Sequence, residues 1–263
     1  MNDPNGDIET RPQILTRDDG ATIAYHKTPG RPPGVVFLGG FASDMTGTKA
    51  TALEAFCRAR GQAYLRFDYR GHGASSGAFQ DGTIGGWSAD ALSVLDALVE
   101  GPQVLVGSSL GGWIMLLVAR ARPERIAGLI GVAAAPDFTR ELVERGFTAE
   151  QRDALERDGV VYLPSGYGNE PYPITRRLIE EGREHLVLQS PIEITCPVRL
   201  LHGMKDTDVP CKRALRISEM LVSTDVEVIL VKDGDHRLSE PQDLERLCRT
   251  VAEVSERASD RSA

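Results

Sequence analysis

The stretch Gly107-Ser108-Ser109-Leu110-Gly111 sets a serine between two glycines at the spacing G-x-S-x-G. The centre of that pattern is Ser109, because Ser108 would have Val106 where the first glycine belongs. Glycines at these flanks have a mechanical purpose: a sharp turn from strand to helix strains the dihedrals of the serine and brings neighbouring chain too close for side chains. The hydroxyl is then held at the top edge of a sheet and at a helix N-terminus, where developing negative charge is favoured. The bare pattern arises easily by chance, as a Gly/Ser turn without chemical importance, but its context here is the required one. An apolar run, QVLV, precedes it and an apolar helical run, GGWIMLLVAR, follows, within which Trp113, Ile114, Leu116 and Leu117 are expected to pack the helix on the sheet.

A serine hydroxyl is a poor nucleophile near neutral pH and needs a base within hydrogen-bond reach, a task suited to an imidazole with its ordinary pKa of ~6.5. Of the five histidines, His26 and His185 fall in an N-terminal hairpin and in an inserted helix, upstream of the expected base. His72 in YRGHGASSG and His202 in LLHGMKD stand on loops at the correct end of the sheet, but each adjoins a motif that accounts for it without a role as the base. That leaves His236, in the polar loop KDGDHRLSE between the last apolar strand and the last helix. The imidazole in turn needs a carboxylate to fix its tautomer. LLHGMKDTDVP offers Asp206, the favoured candidate, and Asp208, which is either the true acid or a cap for the next helix. Two backbone amides must face the oxyanion. Leu110 supplies one and Phe41, in GGFAS, is the expected second; Gly39 and Gly40 either admit this close approach or are turn glycines. Gly40, Phe41, Tyr162 and Tyr167 are the candidate substrate-binding residues, with Tyr162, Tyr167 and Tyr172 placed either on a pocket wall or on an exposed loop.

The elements that must position these groups follow a regular order. Alternating residues around Asp18-Asp19-Gly20 predict an antiparallel hairpin over 14–28. Short apolar strands then alternate with helices near 47–60, 83–99, 110–121, 211–222 and 241–256. Such alternation implies a mostly parallel, eight-stranded sheet covered by helices on both faces. After the sixth strand, residues 136–190 break the rhythm with charged helical patterns (138–157 and 173–187) around YLPSGYGNEPYP, a small helical lid over the strand ends. The expected organisation is a disordered N-terminus over 1–12, one α/β domain over 13–256 and a frayed tail over 257–263.

Composition excludes other classes. A formal charge of −8, without a Lys/Arg-rich run, offers no footprint for nucleic acid. Cys57, Cys196, Cys211 and Cys248 lack metal-ligand spacing and read as reduced, mostly buried thiols, so no metal site is expected. No apolar run approaches the ~20 residues needed for stable membrane insertion. The polar stretch MNDPNGDIETRP carries no targeting pattern, which predicts cytoplasmic residence.

With these residues assembled, the chain resembles an α/β-hydrolase from about Val35 to the last helix. The strings GGFASDMTGTKA, RFDYRGHGASSG, GPQVLVGSSLGGW, SPIEITCPVRLLHGMKDTDVP and STDVEVILVKDGDHR narrow the likeness to the subfamily containing the mitochondrial palmitoyl-protein thioesterase that also cleaves acyl glucuronides. The resemblance implies a Ser109–Asp206–His236 triad acting on small acyl esters or thioesters or on S-acylated proteins, without metal or organic cofactor, in a monomer or homodimer. Arg70 and His72 depart from that subfamily toward the generic R-G-H-G, and the lid matches less closely. Hydrolysis of C–C bonds or perhydrolysis with the same triad, and ligand binding without catalysis, are the alternatives.

Overall fold

The computed structural model describes residues 11–164 and 171–260. Residues 1–10 of the stretch expected to be disordered, Tyr167 of the candidate substrate-binding set, and residues 261–263 lie outside the described residues. The chain opens with a hairpin of β1 (Gln13–Thr16) and β2 (Thr22–Thr28), then alternates through β3 (Arg31–Leu38), α1 (Thr48–Ala59), β4 (Gln62–Phe67), α2 (Ile84–Leu98), β5 (Gln103–Ser108), α3 (Leu110–Ala121) and β6 (Ile126–Val132). An insertion follows: α4 (Phe138–Glu141), a π-helical turn over Leu142–Gly146, α5 (Ala149–Asp158), a hairpin of β7 (Val160–Leu163) and β8 (Tyr172–Thr175), and α6 (Arg176–Gly182). The alternation then resumes with β9 (Val198–Gly203), α7 (Lys212–Met220), β10 (Val226–Val231) and α8 (Pro241–Asp260).

Eight strands form one sheet in the order β1-β2-β4-β3-β5-β6-β9-β10. It is parallel except where β2 pairs antiparallel with β1 and β4. Alternating side chains of the central strands divide the core in two. Val36, Leu38, Leu105, Leu129 and Leu200 face α2, α3 and α7, whereas Val35, Phe37, Val104, Val106, Ile130 and Leu201 face α1 and α8. This two-sided burial makes the strands read as unbroken apolar runs. Trp113, Ile114 and Leu116 of α3 are fully buried, which roots the helix that starts at the serine turn. Of the four cysteines Cys57 is buried and the others are half-buried.

Two boundaries differ from the sequence expectation. The closing helix runs to Asp260 rather than 256, because its apolar rhythm of Leu247, Val251, Val254 and Ala258 continues to the end and keeps the last turn packed. Residues 257–260 thus belong to this helix. The insertion also contains sheet. Thr148 and Gln151 form a reciprocal capping box that starts α5 afresh after the π-turn, and Gly159, at φ +73°, ends it. The β-branched pair Val160-Val161 then pairs with Thr175 and Ile174, so residues 172–175 extend as a strand before α6 begins.

The insertion joins the sheet domain through a narrow neck. Asp137 is buried at φ +61°, and its carboxylate accepts the amides of Val187 and Leu188, both at 2.9 Å, so one side chain ties the outgoing chain to the returning one. Farther along, the indole of Trp113 donates to the His185 carbonyl at 3.0 Å, and Glu181 accepts the Gly85 amide. Replacing Asp137 with alanine strands two buried amides, at about 1–3 kcal/mol each. Urea unfolding of Asp137→Ala is therefore expected to show a loss of about 2–6 kcal/mol, with limited proteolysis cutting inside 138–186 before the sheet unfolds.

Candidate active site

Ser109 stands alone between β5 and α3 with φ +53° and ψ −116°, a conformation that a non-glycine residue holds only when its surroundings over-determine it. The surroundings do so through three backbone hydrogen bonds: the Ser109 amide donates to Val132 O at 2.9 Å, and its carbonyl accepts Gly112 N at 2.9 Å and Ala135 N at 3.0 Å. The flanking glycines make this possible. A Cβ on Gly107 would lie 2.4 Å from Gly111 O, and one on Gly111 would lie 2.1 Å from Leu38 O. Ser108, the neighbouring hydroxyl, ends β5 with its side chain buried.

The turn presents Ser109 Oγ 3.0 Å from His236 Nε2, and His236 Nδ1 lies 2.8 Å from Asp206 Oδ2. Since a carboxylate only accepts, the ring proton sits on Nδ1, leaving Nε2 to accept from the serine hydroxyl. The histidine comes from the loop between β10 and α8, and the acid from the loop after β9. The Asp206 side chain is fully buried, and its Oδ1 accepts the amides of Asp208 at 2.9 Å and Val209 at 2.8 Å. Burial alone would raise its pKa, but hydrogen bonds from His202, His236 and the Val209 amide outweigh burial and hold the carboxyl well below the usual range. Asp208 is exposed; it gives its amide to Asp206 and does not cap α7, which has no side-chain cap.

Gly40 and Phe41 lie on the loop after β3. A Cβ on Gly40 would sit 3.5 Å from Ser109 Cβ, which brings this backbone into contact with the serine; a Cβ on Gly39 would meet nothing within 4 Å. Neither the Phe41 nor the Leu110 amide has a hydrogen-bond partner among the described residues. The Phe41 ring makes edge contacts with Phe79, Trp87, Phe138 and Tyr172 at centroid distances of 4.8–5.9 Å. Asp68 fastens the far end of the loop by accepting Met45 N at 2.6 Å and Ala74 N at 2.8 Å.

Ser109, His236 and Phe41 open onto a cavity of about 1050 Å³ between the strand ends and the insertion. Its lining includes apolar Phe138, Leu142, Leu163 and Tyr172 and the charged side chains of Lys49, Glu141, Arg145, Arg213 and Arg237. Arg213 pairs with Glu141 of the insertion. Lys49 donates to Arg237 O at 2.5 Å, and burial, aided by the Arg237 charge, pushes its amine down to about 8. Tyr162 must be corrected as a substrate-binding candidate: it is 53% exposed on β7, where alternation turns Val161 and Leu163 inward and Tyr162 out. Tyr172, across the hairpin, lines the cavity instead. Sequence reasoning missed Lys49, Arg213 and His202 as parts of the site; only the i, i+4 spacing of His202 and Asp206 gave a signal.

A serine on a strained strand-to-helix turn, an imidazole from a late loop and a covered parallel sheet define the α/β class of hydrolases. The sequence matches the alpha/beta hydrolase family over residues 35–250, and the chain belongs to that family. It is 46% identical to the mouse mitochondrial palmitoyl-protein thioesterase ABHD10, over 94% of this chain and 83% of that protein, and 44% identical to the human one, over 95% and 82%. The solved mouse alpha/beta hydrolase domain-containing protein 10 superimposes with a TM-score of 0.85 at 44% identity, covering 92% of this chain and 97% of that one. A solved chain from Agrobacterium vitis S4 does so at 0.89 and 40% identity, covering 93% and 98%. The relatives' names place them in mitochondria, which overturns the expectation of cytoplasmic residence; charge and polarity govern solubility and association rather than compartment.

A methyl group at Gly111 would meet the main chain of β3, whereas one at Gly39 meets nothing within 4 Å. Gly111→Ala is expected to lose about 3 kcal/mol or more in denaturant unfolding, and Gly39→Ala to stay within about 0.5 kcal/mol of the parent.

Proposed function

We propose that the chain hydrolyses acyl esters or thioesters through an acyl-enzyme on Ser109. The observation that carries this reading is the continuous hydrogen-bonded line Ser109 Oγ–His236 Nε2 and His236 Nδ1–Asp206 at 3.0 and 2.8 Å, opening onto a deep cavity. Ser109 Oγ attacks the acyl carbonyl as His236 takes its proton, and Asp206 stabilises the imidazolium. The amides of Leu110 and Phe41 receive the oxyanion. The tetrahedral intermediate collapses, His236 returns the proton to the departing alcohol or thiol, and water repeats the sequence to free the acid and restore Ser109.

The cavity's volume, at the upper end of ligand pockets, and its aromatic and aliphatic wall suit a long acyl chain. The relatives named as palmitoyl-protein thioesterases support a thioester on a small carrier or a protein. Arg145, which also lines the cavity, favours, as a second reading of the leaving group, one that carries a carboxylate, as an acyl glucuronide does.

A fluorophosphonate probe is expected to label the protein, and Ser109→Ala to abolish the label and lower kcat/KM by about 10⁴-fold or more. Rates on matched ester, thioester and acyl-glucuronide substrates of rising chain length select among leaving groups; an unlabelled wild type that binds acyl ligands would instead indicate a binding protein. The pH profile has a defined sign. Because Asp206 is held below its ordinary range, it is ionised from mildly acidic pH upward, and its contribution to stability fades only as pH falls through its lowered pKa. kcat/KM is therefore expected to rise once, through an imidazole titration ordinarily near ~6.5, with no carboxylate limb. A profile flat between pH ~5 and ~8 would remove His236 as the base.

A further inference from the structure

Two imidazoles reach the same oxygen of Asp206. Besides His236, His202 places Nε2 3.1 Å from Asp206 Oδ2 and 2.9 Å from the Val209 carbonyl oxygen. His202 is the penultimate residue of β9, four before Asp206, and is fully buried. Both neighbours only accept, so Nε2 carries a ring proton, hydrogen-bonded to the Val209 carbonyl and lying against the Asp206 carboxylate. Its Nδ1 is buried with no partner among the described residues, and a proton there would be a donor without an acceptor. The surroundings thus select one tautomer, the one that donates to the acid.

We propose that His202 is a positioning residue that, by donating to Asp206 Oδ2, fixes the carboxylate and limits how strongly it holds a proton on His236. The proposal rests on the assignment of Ser109, His236 and Asp206 as the reacting set. Donors sharing one oxygen compete for its electron density, so each weakens the pull on the other. Without His202, Oδ2 turns its full charge on His236, the imidazolium is stabilised, and the ring protonates at higher pH. The other direct donors, the amides of Asp208 and Val209, meet Oδ1. Charged groups on the same two loops include Lys205, ion-paired with Asp233, together with Asp208, Asp235 and Arg237, whose carbonyl accepts from Lys49 of α1. Among the described residues, His202 is the side-chain donor to the acid outside the reacting set, so it can be exchanged without removing a reacting group.

The test follows the His236 ring by NMR titration in the resting protein, in the wild type, His202→Leu and His202→Gln, beside the pH profile of kcat/KM. In His202→Leu the His236 midpoint is expected to rise by about half to one pH unit, with kcat/KM below that midpoint falling about 3–10-fold. Glutamine donates without titrating, and His202→Gln is expected to recover most of the shift. An unmoved midpoint in His202→Leu, or an equal shift in His202→Gln, overturns the proposal. The titration needs no turnover, so failure of the hydrolase reading would show separately, as absence of Ser109-dependent probe labelling. Should His202→Leu not fold, the ring ¹⁵N shifts of wild-type His202 decide: an Nε2–H tautomer hydrogen-bonded to Asp206 supports the proposal, and a ring proton on Nδ1 overturns it.

Discussion

Gly107 and Gly111 meet across the turn at Ser109, with the Leu38 carbonyl of the next strand pressed against Gly111. That contact depends on two missing side chains, and the position of every other group of the proposed reacting set is measured from it. It lets α3 start within one residue of the end of β5, so Ser109 takes up the whole change of direction at positive φ. The strain is carried by hydrogen bonds to β6 and α3 and by the burial of Trp113 and its neighbours, not by the serine itself. The site is therefore rigid where the proposed nucleophile stands, and its partners arrive on loops.

Rigidity extends to the acid. Asp206 has a donor for each of its lone-pair directions, two amides on one oxygen and two imidazoles on the other, and this saturation keeps a fully buried carboxylate charged. The proposed oxyanion loop is held differently, at one end by Asp68 and in the middle by the aromatic ring of Phe41. Phe41 touches both the sheet domain, through Phe79 and Trp87, and the insertion, through Phe138 and Tyr172, so it couples the wall of the cavity to the backbone that faces Ser109.

The parts that the sequence made legible are those whose chemistry leaves a local mark. Glycines around Ser109, apolar strands followed by helices, and polar loops at strand ends announce the sheet and place Ser109, His236 and Asp206. The insertion was harder to read because its order comes from tertiary contacts. The break at Thr148 and the β7–β8 hairpin compete with a plausible helical charge pattern, and the orientation of Tyr162 turns on a one-residue register that only the pairing with β8 sets. Lys49, Arg213 and His202 escaped for a related reason: each matters through what it meets in space, far along the chain or buried beneath a loop. Compartment was misread because it is not a property of the folded domain.

The neck at Asp137 carries an evolutionary implication. Because the Asp137 carboxylate draws the outgoing and returning chain together, the residues between those anchors form a cassette that leaves and re-enters the sheet domain at one place and meets it again through Phe41, Trp113 and Gly85. Since the cassette supplies part of the cavity lining but none of the sheet's strands, changes in it reach the cavity while the strand order and its register stay as they are.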